Sequence, residues 1–299
     1  MKEHQLKAFL RIADEGSIRG AARSLHLSQS ALTRAMRELE ANVGAELLIR
    51  SYRGVEFTPA GKALLMRTRL AMATLDKARD EIRWLRGGAG TQVSVAVTTA
   101  IAATALPSVL KTFEQEQPDA RVVLAEGMLS TLLPGLMEGR IDFAVAVAEV
   151  SQLPYEITLE PLAELLSAPV GRVGHPLLGA TDWTGLSQAR WVLNLAAGSS
   201  AHYLTSWLNA RGIEMSERVV SCDSSTLMVE LMRQTDLIGL APRFFADNPL
   251  SGQGLACFDM LSDFPRFTVG LLKLRGVPLH PGAERLATLF RREVSGLSL

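Results

Sequence analysis

From Leu6 to Val43 the apolar residues return at helical spacing in three short bursts. Leu6, Phe9, Leu10 and Ala13 predict one helix with those side chains inward. Ser17 can accept a free amide at a helix start and precedes Ile18, Ala21, Ala22 and Leu25, which share one face of a second helix. Only His26 and Leu27 separate that helix from Ser28, another good N-cap. Behind it Leu32, Ala35, Met36, Leu39 and Val43 form one apolar stripe. The pattern then shortens: Leu47 to Arg50, a turn over Ser51 to Gly54, and Val55 to Thr58 read as strand, turn, strand.

Two short helices joined by a tight turn form a helix-turn-helix, whose second helix can lie in the DNA major groove. Opposite its apolar stripe that helix carries Gln29, Ser30, Thr33, Arg34 and Arg37, side chains that hydrogen-bond base edges or neutralise phosphates. An ordinary amphipathic surface helix has a similar face. The helix before it, the small Ala21 and Ala22 at the crossing, and a wing tipped with Arg50 and Arg53 favour DNA. The expected DNA-binding residues are therefore Ser28, Gln29, Ser30, Thr33, Arg34, Arg37, Arg50 and Arg53.

A long helix is expected from Pro59, with Thr58 as its cap and Gly87, Gly88 and Gly90 ending it. Leu64, Thr68, Ala71, Leu75, Ala78, Ile82 and Leu85 alternate steps of four and three along it, a heptad seam flanked by charge. A seam that narrow predicts a dimerisation helix, about 42 Å long at 1.5 Å per residue. Two heads on one dimer then read two half-sites about 34 Å apart, or a multiple of that, as an inverted repeat.

Beyond residue 90 the rhythm alternates between strands and helices, which predicts a parallel α/β sheet. Expected strands are Gln92 to Val97, Arg121 to Glu126, Phe143 to Val147, Leu165 to Val170, Arg190 to Leu195, Val219 to Cys222, Leu237 to Ala241 and Phe267 to Leu274. Expected helices are Ile101 to Gln117, Leu129 to Glu138, His202 to Arg211, Ser225 to Gln234 and Pro281 to Val294.

Composition sharpens this. With 299 residues, 47% of them hydrophobic, the chain has room for about two folded domains. The zero net charge hides a division: residues 1–90 hold 16 Lys and Arg against 10 Asp and Glu, and the remainder is correspondingly acidic. The basic part coincides with the helix-turn-helix, as expected of the end that meets a polyanion. No secretory signal opens the chain, and no apolar run approaches a membrane span, so a cytoplasmic protein without a membrane partner is expected. Cys222 and Cys257 show no close metal spacing, and no metal site or cofactor is expected.

Residues 1–62 resemble the DNA-binding end of a LysR-type transcriptional regulator. The resemblance is carried by Leu6, Phe9, Gly16, Ser17, Ala21, Ala22, Leu25, Ser28, Gln29, Ala31, Leu39, Glu40, Gly44, Leu47, Leu48, Arg50, Arg53 and the run Thr58 to Gly61. Ser30 stands where many members have proline and Leu48 where many have phenylalanine. The rest of the chain is similar to the family's effector domain, which resembles the type 2 periplasmic binding proteins. The expected fold is thus α/β overall: a winged helix-turn-helix at 1–58, a linker helix at 59–88, and a two-lobed α/β effector domain at 89–299. Lobe I covers about 91–162 and 267–299, and lobe II about 163–266. The crossovers are expected near Glu160 to Ala163 and Pro265 to Phe267.

In such a fold a ligand belongs in the cleft, where strands end and helices begin. Thr98 and Thr99 offer two hydroxyls there, although simple capping is also a role for them. Further effector-binding candidates are Met128, Ser130 and Val147, then Gly198, Ser199, Ser200, His202 and Ser224 in the second lobe. No Lys or Arg sits in these loops. An anionic effector, such as an aromatic or organic acid, would lean on hydroxyls, amides and helix dipoles, and a neutral or weakly acidic aromatic is the alternative. Enzyme readings fail for want of a motif: there is no phosphate-binding glycine loop, no nucleophile elbow and no zinc-binding histidine pair. A cytosolic solute-binding receptor explains residues 91–299 but not the basic front. The family implies a homo-oligomer, a dimer through the linker helix and then a tetramer, which binds promoter DNA. In the expected mechanism a small-molecule effector shifts the lobes, changes head spacing and DNA bending, and alters contact with RNA polymerase.

Overall fold

A computed structural model describes residues 1–51, 54–86, 92–180, 182–196, 199–247, 252–258 and 266–296. The chain divides into two compact units, Met1–Arg79 with Met137–Arg140, and Asp80–Leu136 with Ile141–Leu299.

The first unit opens with α1 (Glu3–Glu15), α2 (Ile18–Ser24) and α3 (Gln29–Val43). The Ser17 hydroxyl accepts the Gly20 N–H at 3.0 Å, and Ser28 accepts that of Ala31 at 3.1 Å, so both caps form where side-chain chemistry predicts them. Gly44 stops α3 in the left-handed region, at φ 72°, which costs glycine nothing. Phe9, Ile12, Ala21, Leu32, Leu39 and Leu47 are fully buried together. Burying a side chain the size of Phe9 or Leu32 contributes about 1.5–3 kcal/mol. The buried stripe of α1 differs from the expected one: Gln5, Ala8, Phe9 and Ile12 are inside, while Leu6, Leu10 and Ala13 are half-buried. Gln5 tolerates burial because its amide is satisfied at both ends, accepting the Lys2 N–H at 2.9 Å and donating to Glu38 at 3.1 Å. Val43, expected inward on α3, is exposed.

The wing is an antiparallel pair, β1 (Leu48–Ser51) and β2 (Gly54–Phe57), with Leu48 opposite Phe57. The Phe9 ring meets that of Phe57 edge-on, with centroids 5.4 Å apart. Glu40 fixes α3 against the wing: its carboxylate accepts the Leu47 N–H at 2.9 Å and the Leu48 N–H at 3.3 Å. The long helix α4 (Pro59–Leu85) follows, capped by Thr58, whose hydroxyl accepts the Gly61 N–H at 2.9 Å and donates to the Glu46 carbonyl at 2.7 Å. The expected seam splits in two. Leu64 is half-buried and Thr68 fully buried within the chain, whereas Ala71, Leu75, Ala78 and Ile82 are exposed. The Leu85 side chain lies outside the described residues.

In the second unit the strands are β3 (Gln92–Val97), β4 (Arg121–Glu126), β5 (Phe143–Val147), β6 (Ile157–Arg172), β7 (Arg190–Leu193), β8 (Val219–Ser221), β9 (Leu237–Pro242), β10 (Leu255–Cys257) and β11 (Arg266–Leu274). Among the described residues they form one sheet in the order β4-β3-β5-β11-β6-β9-β7-β8, with β10 on the far end of β6. The sheet is mixed rather than parallel. β3, β4 and β5 pair in parallel, as do β7, β8 and β9, but β6 and β11 run antiparallel to their neighbours. The crossovers are therefore strands and not loops. β6 pairs with β11 as far as Leu166 and with β9 from Ser167, so one continuous strand carries the chain from lobe to lobe. Glu160 to Ala163, expected as a crossover, lies inside it, and Pro161 sits at a register shift that a strand proline can occupy. At the second expected crossover Phe267 is on β11, and Pro265 lies outside the described residues.

The helices are α5 (Thr99–Ala103), α6 (Leu106–Glu116), α7 (Leu129–Met137), α8 (Trp183–Ser187), α9 (Ser200–Asn209), α10 (Ser225–Gln234), α11 (Arg243–Asp247) and α12 (Pro281–Ser295). The single helix expected from Ile101 to Gln117 is two, broken at Thr104 and Ala105, with Pro107 in the first turn of α6. Phe113, Phe143 and Phe290 pack the core beneath α6 and α12. Trp191 is fully buried and donates its indole N–H to the Leu186 carbonyl at 2.9 Å. The strand ends that this core fixes carry the side chains of the cavity.

Candidate nucleic-acid interface and effector cavity

On α3, burial of Leu32, Met36 and Leu39 turns the opposite face outward. Gln29, Ser30, Arg34 and Arg37 are exposed and Thr33 is half-buried, and these five line one shallow recess. No carboxylate pairs with Arg34 or Arg37 among the described residues, so both guanidinium groups face solvent ready for an external anion. The Ser28 hydroxyl is occupied as the cap and lies 3.0 Å from the Ser30 hydroxyl, which makes those two a bonded pair rather than independent contacts. Arg50 is on β1 opposite Val55, but its side chain, and all of Arg53, lie outside the described residues.

The second unit encloses a cavity of about 170 Å³ where strands of both lobes end. Seven of the expected effector residues line it: Thr98, Thr99, Met128, Ser130, Val147, Ser199 and Ser200. Gly198 lies outside the described residues. His202 and Ser224 do not reach the cavity. His202 is exposed, and its backbone N–H bonds the Ser199 hydroxyl at 3.0 Å. Ser224 is the N-cap of α10, accepting the Leu227 N–H at 3.4 Å, and its neighbour Ser225 faces the cavity instead. Each hydroxyl was expected to serve a ligand and is claimed by its own helix.

Several lining residues escape a reading of the sequence. Ser167 comes from the middle of β6 and Asn194 from the end of β7, while Met228, Met232 and Phe245 supply an apolar wall with Leu165 and Leu240. Met228 and Met232 are four apart behind a cap, the one pattern that could have marked them as a helix face. Asn194 is well fixed: it accepts the Ala196 N–H at 2.9 Å and donates toward Met128 and Ser130. Thr98 places a buried hydroxyl oxygen in the cavity wall with no hydrogen-bond partner among the described residues. Thr99 and Ser225 meet across the cleft at 2.8 Å, and both hydrogen-bond Glu126, an exposed residue outside the cavity lining. Among the described residues no Lys, Arg or His lines the cavity. The two cysteines engage separate backbone carbonyls, Cys222 that of Ser224 and Cys257 that of Arg243.

The helix-turn-helix and the cavity fall within two family descriptions that together span most of the chain. Residues 4–62 match the bacterial regulatory helix-turn-helix protein, lysR family, and residues 86–295 match the LysR substrate binding domain. The chain belongs to the LysR family. As a LysR-type transcriptional regulator it joins a DNA-binding head to an effector-binding domain, and a solute receptor without DNA-linked output is not favoured. It is 29% identical over 241 residues to the HTH-type transcriptional regulator TdcA of Escherichia coli (strain K12), covering 81% of this chain and 77% of that one. It is 26% identical over 293 residues to the HTH-type transcriptional regulator GalR of Pseudomonas putida, covering 97% and 74%. In fold this LysR-type protein is similar to ArgP from Mycobacterium tuberculosis, with a TM-score of 0.70 at 20% identity over 99% of this chain and 98% of that one. It is also similar to CbnR in complex with its target DNA, with a TM-score of 0.67 at 24% identity over 98% and 100%. No helix among the described residues is long and apolar enough to cross a membrane.

Proposed function

We propose that this regulator reads promoter DNA with the α3 face of Gln29, Ser30, Thr33, Arg34 and Arg37, with Arg50 and Arg53 on the wing. It responds to a small molecule held in the cavity between its lobes. The observation that carries this reading is the pairing within one chain of an unpaired cationic helix face and a hydroxyl- and methionine-lined cavity. A space of about 170 Å³ suits a molecule of roughly benzene size, since an engineered cavity of about 150 Å³ accepts benzene. The buried Thr98 hydroxyl is a polar group that a ligand can satisfy.

The exposed part of α4, with Ala71, Leu75, Ala78 and Ile82 in a row, supports dimerisation through that helix, and a tetramer follows if effector domains also pair. The working protein is then a cytoplasmic homo-oligomer with the effector as its only small-molecule ligand and no cofactor. Ligand binding favours one arrangement of the lobes, and the oligomer converts it into altered head spacing, DNA bending and contact with RNA polymerase. The test is footprinting of the purified protein on DNA upstream of its own gene, with and without a panel of small acids, amides and amines. A long protected region that shortens or shifts with one compound class is the expected result. No protection at low salt would remove the DNA-reading half, and protection unmoved by every compound would remove the effector half.

A further inference from the structure

The cavity wall is uncharged among the described residues, and the charge tied to it through hydrogen bonds is negative. Glu126 ends β4 in the first lobe; Thr99 begins α5 in the same lobe, and Ser225 begins α10 in the second. One carboxylate oxygen of Glu126 accepts from Thr99 and, at 3.0 Å, from Ser225, while the two hydroxyls lie 2.8 Å apart. An ionised carboxylate can only accept, so the two hydroxyl protons make two of these three contacts hydrogen bonds at any one time. Both protons are therefore used inside the triangle, and Thr99 and Ser225 face the cavity with lone pairs. At the start of α10 the Ser225 hydroxyl is thus already engaged by the protein's own carboxylate.

We infer that this corner recognises a hydrogen-bond donor, and that the effector is a small molecule with an apolar body and an amine or amide head, not a free carboxylate. The donor meets the lone pairs of Thr99 and Ser225 and the charge of Glu126. The apolar body lies against Met228, Met232 and Phe245. A carboxylate brought to the same corner meets acceptors and a like charge, with no Lys, Arg or His among the described lining residues to offset it. This inference rests on the cavity being the effector site, and it departs from the acid that hydroxyls and helix amides alone would favour.

The experiment uses the full-length protein and two sets of matched probes: benzylamine, benzamide and benzoate, and pentylamine, pentanamide and pentanoate. Binding is measured by calorimetry and by the shift in melting temperature, for the wild type, Glu126→Gln and Ser167→Phe. Ser167→Phe fills the cavity and is checked for an intact fold by its unliganded melt. In the wild type, the amine and amide of at least one set should bind about tenfold or more tighter than the carboxylate, the size of one charge-assisted hydrogen bond. Glu126→Gln should remove about tenfold from the amine, change the amide less and improve the carboxylate. Carboxylates that bind the wild type as well as the amines, a ranking unmoved by Glu126→Gln, or amines and amides that do not bind at all each overturn the inference. Binding that persists undiminished in Ser167→Phe shows instead that the cavity is not the site.

Discussion

Gly61 presses its α-carbon against the carbonyl of Leu47: a methyl group built there would stand 2.1 Å from the Leu47 oxygen. The same oxygen accepts the Thr58 N–H at 3.1 Å, so it is held and cannot retreat without breaking the entry to α4. Gly61→Ala should therefore destabilise the DNA-binding unit by about 1–3 kcal/mol, the usual cost of overpacking a close contact, although alanine is the better helix former. Urea melts of the full protein read the loss directly. A variant within about 0.5 kcal/mol of wild type, the range of ordinary surface changes, would mean that the Gly61–Leu47 junction yields to a methyl group.

Arg34 and Arg37 should fail differently. Residues near the start of a recognition helix contact base edges, and Arg34 is closer to that start than Arg37. Arg34→Ala should weaken operator binding by about 1–3 kcal/mol and relax discrimination at one base position. Arg37→Ala should weaken all DNA alike and lower the magnitude of the salt slope by about one. Binding isotherms at several salt concentrations separate the two, and unchanged affinity and slope in both variants would mean that α3 does not face the DNA.

The front of the molecule was largely legible because its determinants are local. Ser17, Ser28 and Thr58 cap helices with amides three residues away, and Gly44 ends α3 by itself. The misjudged stripe of α1 has a non-local cause, since Gln5 is buried through its bond to Glu38, 33 residues on. The break between α5 and α6 was hidden by an alanine-rich run whose pattern fits either one helix or two. Of the long strand β6 only Leu165 to Val170 was expected, and Pro161 lies in the part that reads as a crossover. In the cavity, Thr98 and Thr99 were readable as the loop between a strand and a helix. The Glu126 contact with Ser225 joins residues 99 apart, and Ser167 faces the cavity only because β6 changes partners at that point. No periodicity in the chain records either fact.

Leu75 and Ile82 are 49% and 56% exposed on a helix whose earlier leucines, Leu64, Leu65 and Leu70, are half-buried. Covering the exposed half of each of these side chains with a second copy contributes about 0.7–1.5 kcal/mol. Leu75→Glu combined with Ile82→Glu should raise the dimer dissociation constant at least about a hundredfold, because each copy loses two apolar contacts and gains like charges. Sedimentation at micromolar concentration reads the oligomer, and footprinting reads whether protection shrinks to one half-site. An unchanged sedimentation coefficient would place the interface elsewhere.

The acid limb of stability should depend on Glu116. Arg285 on α12 grips this carboxylate of α6 at two points, 2.6 Å and 2.5 Å, and that hydrogen bonding holds the Glu116 carboxyl below the usual glutamate range. A carboxyl whose folded value is depressed gives stability that is fully present above its unfolded value, about 4.3. That stability is lost as the pH falls through the lower folded value. The Arg285 side of the pair is shifted upward by the same bond and adds no change at acidic or neutral pH. Both side chains are at least one-third exposed, so the effect should be modest and should shrink with added salt. Melting temperatures from about pH 3 to pH 6 should fall less steeply in Glu116→Gln than in the wild type, and the two curves should differ by a constant offset above about pH 5. Parallel curves over the whole range would mean that the pair forms no closer an association in the folded protein than in the unfolded chain.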